Sequence, residues 1–185
     1  MRRPKYVLPL VAIGVFAFAG LVSAARQPNF ETSDVSAAFN ATQSSMATRT
    51  CTQGTDTFRI TRAKWTGTAT SSEARLAGDL VLRTRTVLNE TTGDGWFTGT
   101  WRTRAAASPP RRNNVPRSFA NLRGVIDDGN HLDGLANGTV GHPGGRLLGN
   151  LSALVNGNSI AGELGANAPV APDNSALIFK GRCTH

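Results

Sequence analysis

The sequence predicts an all-β protein whose eight strands close into an antiparallel up-and-down barrel. Three observations carry this expectation: a glycine that recurs in one five-residue frame, a period of two in the residues around it, and turn-type connections between the repeats. A two-sheet β-sandwich made of the same strands is the alternative.

The frame apolar-x-Gly-x-apolar occurs nine times after residue 24, where 39% apolar residues and eighteen glycines give about three by chance. In chain order the pentamers are WTGTA (65–69), LAGDL (76–80), FTGTW (97–101), LRGVI (122–126), LDGLA and ANGTV (132–140), LLGNL (147–151), IAGEL (160–164) and FKGRC (179–183). Around Gly99, one face holds Phe97, Trp101 and Thr103, and the other holds Thr98, Thr100, Arg102 and Arg104. Around Gly181, Phe179 and Cys183 oppose Lys180 and Arg182. Glycine falls on the apolar face each time. It weakens a strand, since it loses more entropy on ordering and offers no side chain to pack. Two reasons can put it there. Inward glycines let strands bend sharply or approach one another, or they leave space for a ligand. Helices need a period of 3.6, of which only residues 33–46 give a weak hint. One segment conflicts with the frame: in FRITRAKWTG (58–67), Phe58 and Ile60 have the opposite parity to Trp65 and Gly67. A β-bulge near Arg62 would restore the register.

The first 24 residues, MRRPKYVLPLVAIGVFAFAGLVSA, have the layout of a secretory signal peptide. Arg2, Arg3 and Lys5 precede an apolar run, and Ser23, Ala24 and Ala25 close it, which places cleavage after Ala24. No second apolar run of spanning length follows, so the expectation is a secreted, extracellular protein with no membrane span after cleavage. Residues 25–50 read as a flexible N-terminal segment and 51–185 as the barrel domain. Cys51 stands before the first repeat and Cys183 in the last, and there are no other cysteines. In an exported protein they are expected to form a disulfide across the seam of the barrel. In the chain-entropy model a loop of that length is worth ~4–5 kcal/mol. The face opposite the glycines is mostly polar, the reverse of an outer-membrane barrel.

The two barrel ends are expected to differ. TTGDG (91–95), DDGN (127–130) and NGN (156–158) are tight hairpin turns. At the other end stand AAASPPRRNNVPR (105–117), TVGHPGG (139–145) and ANAPVAPDNS (166–175), all with proline, beside the shorter SSEA (71–74). Loops on a rigid scaffold commonly carry function. The predicted ligand site is therefore the proline-containing end, with Arg111, Arg112, Arg117 and His142 on its loops and Trp65, Phe97 and Trp101 lining the interior. No acidic residue lies between Asp94 and Asp127, a stretch that also holds Arg102, Arg104 and Arg123. Such a field attracts anions.

Motifs of catalysis and metal binding are missing from the sequence: there is no G-x-S-x-G, no H-E-x-x-H and no phosphate loop. His131 in DDGNHLDG stands among Asp127, Asp128 and Asp133, without the order of an EF-hand, so neither metal nor cofactor is expected. The pentamer FTGTW resembles the threonine-glycine strands of avidin-like secreted barrels; over five residues this implies architecture and carries no ligand set. The expected function is binding of a small apolar or amphipathic molecule, whose acidic group the arginine cluster would hold. The alternative is an interaction module with a filled core, attaching by its arginine-rich face to an anionic cell-envelope component or to a protein. Nucleic acid is not expected, because the chain is exported and its basic stretch lacks interleaved aromatics. An isomerase or cyclase ranks below both.

Overall fold

A computed structural model describes residues 33–104, 117–141, 145–165 and 168. Its elements are β1 (Ser36–Gln53), β2 (Asp56–Thr70), β3 (Gly78–Asn89), β4 (Asp94–Arg104), β5 (Ser118–Asp127), β6 (His131–Val140), β7 (Gly145–Asn156) and β8 (Ser159–Gly165). Each pairs antiparallel with the next, and β1 pairs with β8 from Ser36↔Gly165 to Thr42↔Ser159, which closes the sheet into an eight-stranded barrel. The hydrogen-bonded ring is continuous, so the sandwich alternative is set aside.

The strands at the two ends of the chain differ from those expected. The first begins at Ser36, inside the segment read as flexible and across the weak helical hint, and FKGRC (179–183) lies outside the described residues. β1 was hidden because it contains no glycine. Its inward side chains near the seam, Ala37, Phe39 and Ala41, are mostly small, and from Ser44 onward its outer half is polar and exposed. Seam closure falls to β8, where Gly162 stands opposite Phe39.

Inward residues line up across the strands. Trp65 pairs with Leu82, Leu82 with Trp101, and Trp101 with Ala120. Burying an aromatic side chain of 150–250 Å² is worth roughly 4–6 kcal/mol at 25 cal/mol/Å², so this layer is a large part of the core. The glycines complement it. A Cβ on Gly124 would stand 2.5 Å from Gly134 Cα and 2.7 Å from Phe97 Cε1, and one on Gly138 would stand 2.5 Å from Ala120 Cα. Neighbouring backbones occupy the space that side chains would need. The glycines therefore serve close approach and curvature rather than leaving a hollow.

The conflict of parity in β2 resolves differently from the expected bulge at Arg62. β2 pairs with β3 without interruption from Phe58↔Asn89 to Ala69↔Gly78, and the bulge lies in β1 between Gln43 and Ser45. Phe58 and Ile60 consequently stay on the convex face. There they join Val87 in a second cluster, each 5–8% exposed, against which Cys51 and Trp96 pack.

Strand lengths are unequal. β1 and β2 run to 18 and 15 residues, while β5, β6 and β8 have 10, 10 and 7. Past Thr42, among the described residues, β1 keeps β2 as its strand partner, with one further bond from the Gln43 amide to the Asn158 carbonyl at 2.8 Å. The β1–β3 side of the barrel thus projects past the opposite wall at the tight-turn end.

Close approach makes Gly138 and Gly157 respond differently to alanine. Gly138→Ala should destabilise by about 2–3 kcal/mol through overpacking against β5. Gly157, at φ 55° with open space around its Cα, should cost only about 1 kcal/mol from the left-handed conformation. Urea midpoints compare the two; equal losses would refute the packing role.

Candidate functional site

The long-loop end comes first, since the sequence placed the ligand there. Its described part is filled. Leu76, 0% exposed, drops from the β2–β3 loop into the core, and several bonds seat it. The Leu76 amide donates to the Glu73 carbonyl at 2.9 Å, Thr103 Oγ1 donates to the Arg75 carbonyl at 3.3 Å, and Arg117 Nη1 donates to the Ala74 carbonyl at 3.1 Å. Beneath it, Trp101 Nε1 donates to Ser118 Oγ at 3.0 Å, and Ser118 shares a 2.6 Å bond with Thr103. These polar atoms are buried and mutually satisfied, as a stable core requires.

The seven residues predicted for a ligand therefore separate. Phe97 and Trp101 are core, with Trp101 edge-on to Phe39 at 5.3 Å between ring centroids. Arg117 is exposed and works as a loop tie. Arg111, Arg112 and His142 lie outside the described residues, as does Cys183. Among the four that are described, Trp65 lines a cavity, and it does so toward the opposite end.

That space is a cavity of about 270 Å³ at the tight-turn end. By the ~30 Å³ share of a water molecule in the liquid, it has room for roughly nine waters or a ligand of that size. It exists because β1–β3 overhang the shorter wall. Met46 and Thr48 come from β1, Arg59, Thr61, Ala63 and Trp65 from β2, and Thr84, Thr86 and Leu88 from β3; Ile126, Leu132 and Val155 face them. The lining is apolar with four hydroxyls set into it. Trp65 Nε1 donates to Thr84 Oγ1 at 3.1 Å, and Thr48 and Thr61 share a bond at 3.2 Å. Beside the indole, Gln43 is the register partner of Trp65, and its Oε1 is buried with no hydrogen-bond partner. Arg59 Nε stands 3.1 Å from Glu90 Oε1 as a half-exposed ion pair. Met46 and Thr48 could not be foreseen without β1 as a strand. The alternation Arg59/Thr61/Ala63/Trp65 in β2 was legible, but the neighbouring phenylalanine and isoleucine masked it.

The turn at Asp127 is a capped hairpin. Asp127 Oδ1 accepts from the His131 amide at 2.8 Å, and Oδ2 lies 3.0 Å from His131 Nδ1. Partial burial pushes the Asp127 carboxyl up, but the His131 amide and ring and the Gly129 amide outweigh it, and the net direction is down. Asn130 completes the turn at φ 61°. Among the described residues no three ligating side chains gather as a metal site. No protein-family model, curated protein or solved structure matches the chain.

Leu76→Ala should cost about 2–5 kcal/mol, as buried leucine truncations do, and should admit solvent at the long-loop end; a urea midpoint within error of the parent would show that Leu76 is no plug. The loop that carries it has an electrostatic signature. Glu73 accepts from Arg75 Nε and Nη2 at 2.8 Å and from the Arg75 amide at 2.9 Å, and its pKa falls to about 2. Carboxyl NMR should therefore find Glu73 ionised until about pH 2, and Arg75→Gln should return it toward the ordinary value of about 4.3.

Proposed function

We propose that the protein is an exported binding barrel that takes a small amphipathic molecule into the cavity at its tight-turn end. The observation that carries this reading is the cavity itself, open beside Trp65 and edged by threonine hydroxyls, in a barrel whose opposite end is filled by Leu76. Pockets for small ligands combine apolar walls with a few placed polar groups, and this lining has that composition. Among the described residues, the lining includes no histidine, carboxylate or cysteine. Arg59 replaces Arg111, Arg112 and Arg117 as the cation near the ligand. Export rests on the N-terminal basic, apolar and small-residue layout, with cleavage after Ala24.

We also propose the Cys51–Cys183 disulfide. Cys51 is not a free thiol, and Cys183 is the only other cysteine in the chain. Cys51 stands on the convex face opposite Phe58.

Native mass spectrometry of the secreted, signal-cleaved protein tests the ligand reading. An adduct removed by organic extraction is expected, as is reversible uptake of a monocyclic amphiphile such as p-cresol with a change in Trp65 fluorescence. Ala63→Phe, which fills the cavity, should abolish both. A bare mass throughout, with no response to p-cresol, would sink the reading.

A further inference from the structure

Register brings together cations that the sequence keeps apart. On the convex face of β2–β5, Arg62 pairs with Arg85, Arg85 with Thr98 and Thr98 with Arg123; one step along, Lys64 pairs with Arg83 and Arg83 with Thr100. Arg102 follows on β4. A groove of about 600 Å³ runs over this patch, its floor made by Thr98, Gly99 and Thr100, and Arg62, Lys64, Arg83, Arg85 and Arg102 border it. Among the described residues, no acidic residue lines it. The ion pairs among the described residues, Arg59–Glu90, Arg75–Glu73 and Asp127–His131, include none of these five cations.

Like charges directly opposite one another destabilise a sheet, and this face contains two such pairs side by side, Arg62–Arg85 and Lys64–Arg83. Aromatic rings hold two of the guanidinium groups in place. Arg85 lies over Trp96 at 5.7 Å and Arg102 over Phe119 at 5.2 Å. A ring face orients a guanidinium without neutralising it. Arg85 Nε is moreover buried with no hydrogen-bond partner. Two of these cations are held against aromatic rings and, among the described residues, none of the five is ion-paired; their backbone positions recur at about 5 Å between adjacent strands and about 7 Å along a strand.

We propose that this groove binds a linear polyanion whose charges repeat along an extended chain, in the manner of an anionic cell-envelope polymer. A single small anion would need converging donors, whereas these cations are spread along a trough. The threonine floor adds hydroxyl donors between the arginines. This reading is separate from the cavity, which lies on the concave side of the same strands.

Long-chain inorganic polyphosphate is the probe, titrated into the full mature protein at several salt concentrations. Binding should weaken steeply with salt, and Lys64→Thr/Arg83→Thr should weaken it at least tenfold. The same double variant should melt about 2–4 °C higher, because it removes a repulsive pair; this also separates lost binding from lost folding. Arg146→Thr, on the outer face of β7, should change nothing. Three results would each overturn the proposal: no polyphosphate binding at low salt, equal loss in the Arg146 variant, or tighter binding to phosphatidylglycerol vesicles or single-stranded DNA than to polyphosphate of equal charge.

Discussion

The distance between neighbouring backbones at the inward glycines governs the rest of this structure. Where Gly124 faces Gly134, two strands meet with no side chain between them, and Phe97 fills the space beside the contact. Curvature of this kind is what closes eight short strands into a ring. It also narrows the interior until Trp65, Trp101, Phe97 and the leucines fill it. The cavity lies along the overhanging halves of β1, β2 and β3, which contain no glycine. Filled core and open mouth thus follow from one geometric condition applied along part of the barrel.

A sheet one residue thick presents the same strands to two environments. Ala63 and Thr84 face the cavity while Arg62, Lys64, Arg83 and Arg85 face outward from the adjacent positions. Period-two alternation therefore places a largely neutral lining and a strongly positive exterior within a few ångströms of each other. The convex side also carries the apolar cluster of Phe58, Ile60 and Val87, so the outer wall divides into an apolar band near the tight-turn end and a cationic band beside it.

The fold class was legible because glycine, alternation and turn chemistry agreed over β2–β8. β1 escaped because its inward alanines are weak marks of a buried face, and because its outer half is mostly polar and exposed. The bulge was assigned to the wrong strand for a related reason. Parity within β2 reveals a conflict between Phe58 and Trp65 but cannot say whether a bulge or a second buried face resolves it. Of the residues read for the site, Trp65 lines the cavity, while Arg111, Arg112 and His142 lie outside the described residues. Whether a barrel end is open depends on which loop residue drops inward, and nothing in ARLAG distinguishes Leu76 as a plug from Leu76 as a strand residue. The cationic groove was invisible for another reason: Arg62 and Arg85 are 23 positions apart, and only strand register makes them neighbours.

Closure depends on a short stretch. Seven residue pairs, from Ser36↔Gly165 to Thr42↔Ser159, join the first strand to the last, while Ser44–Gln53 continues beyond them on the ladder with β2. The overhang is in that sense free of the ring. Insertions, deletions or substitutions in the β1–β2 hairpin tip change the depth and lining of the mouth without touching the contacts that hold the barrel shut. An architecture of this kind lets the mouth vary in shape while the closed ring keeps its contacts.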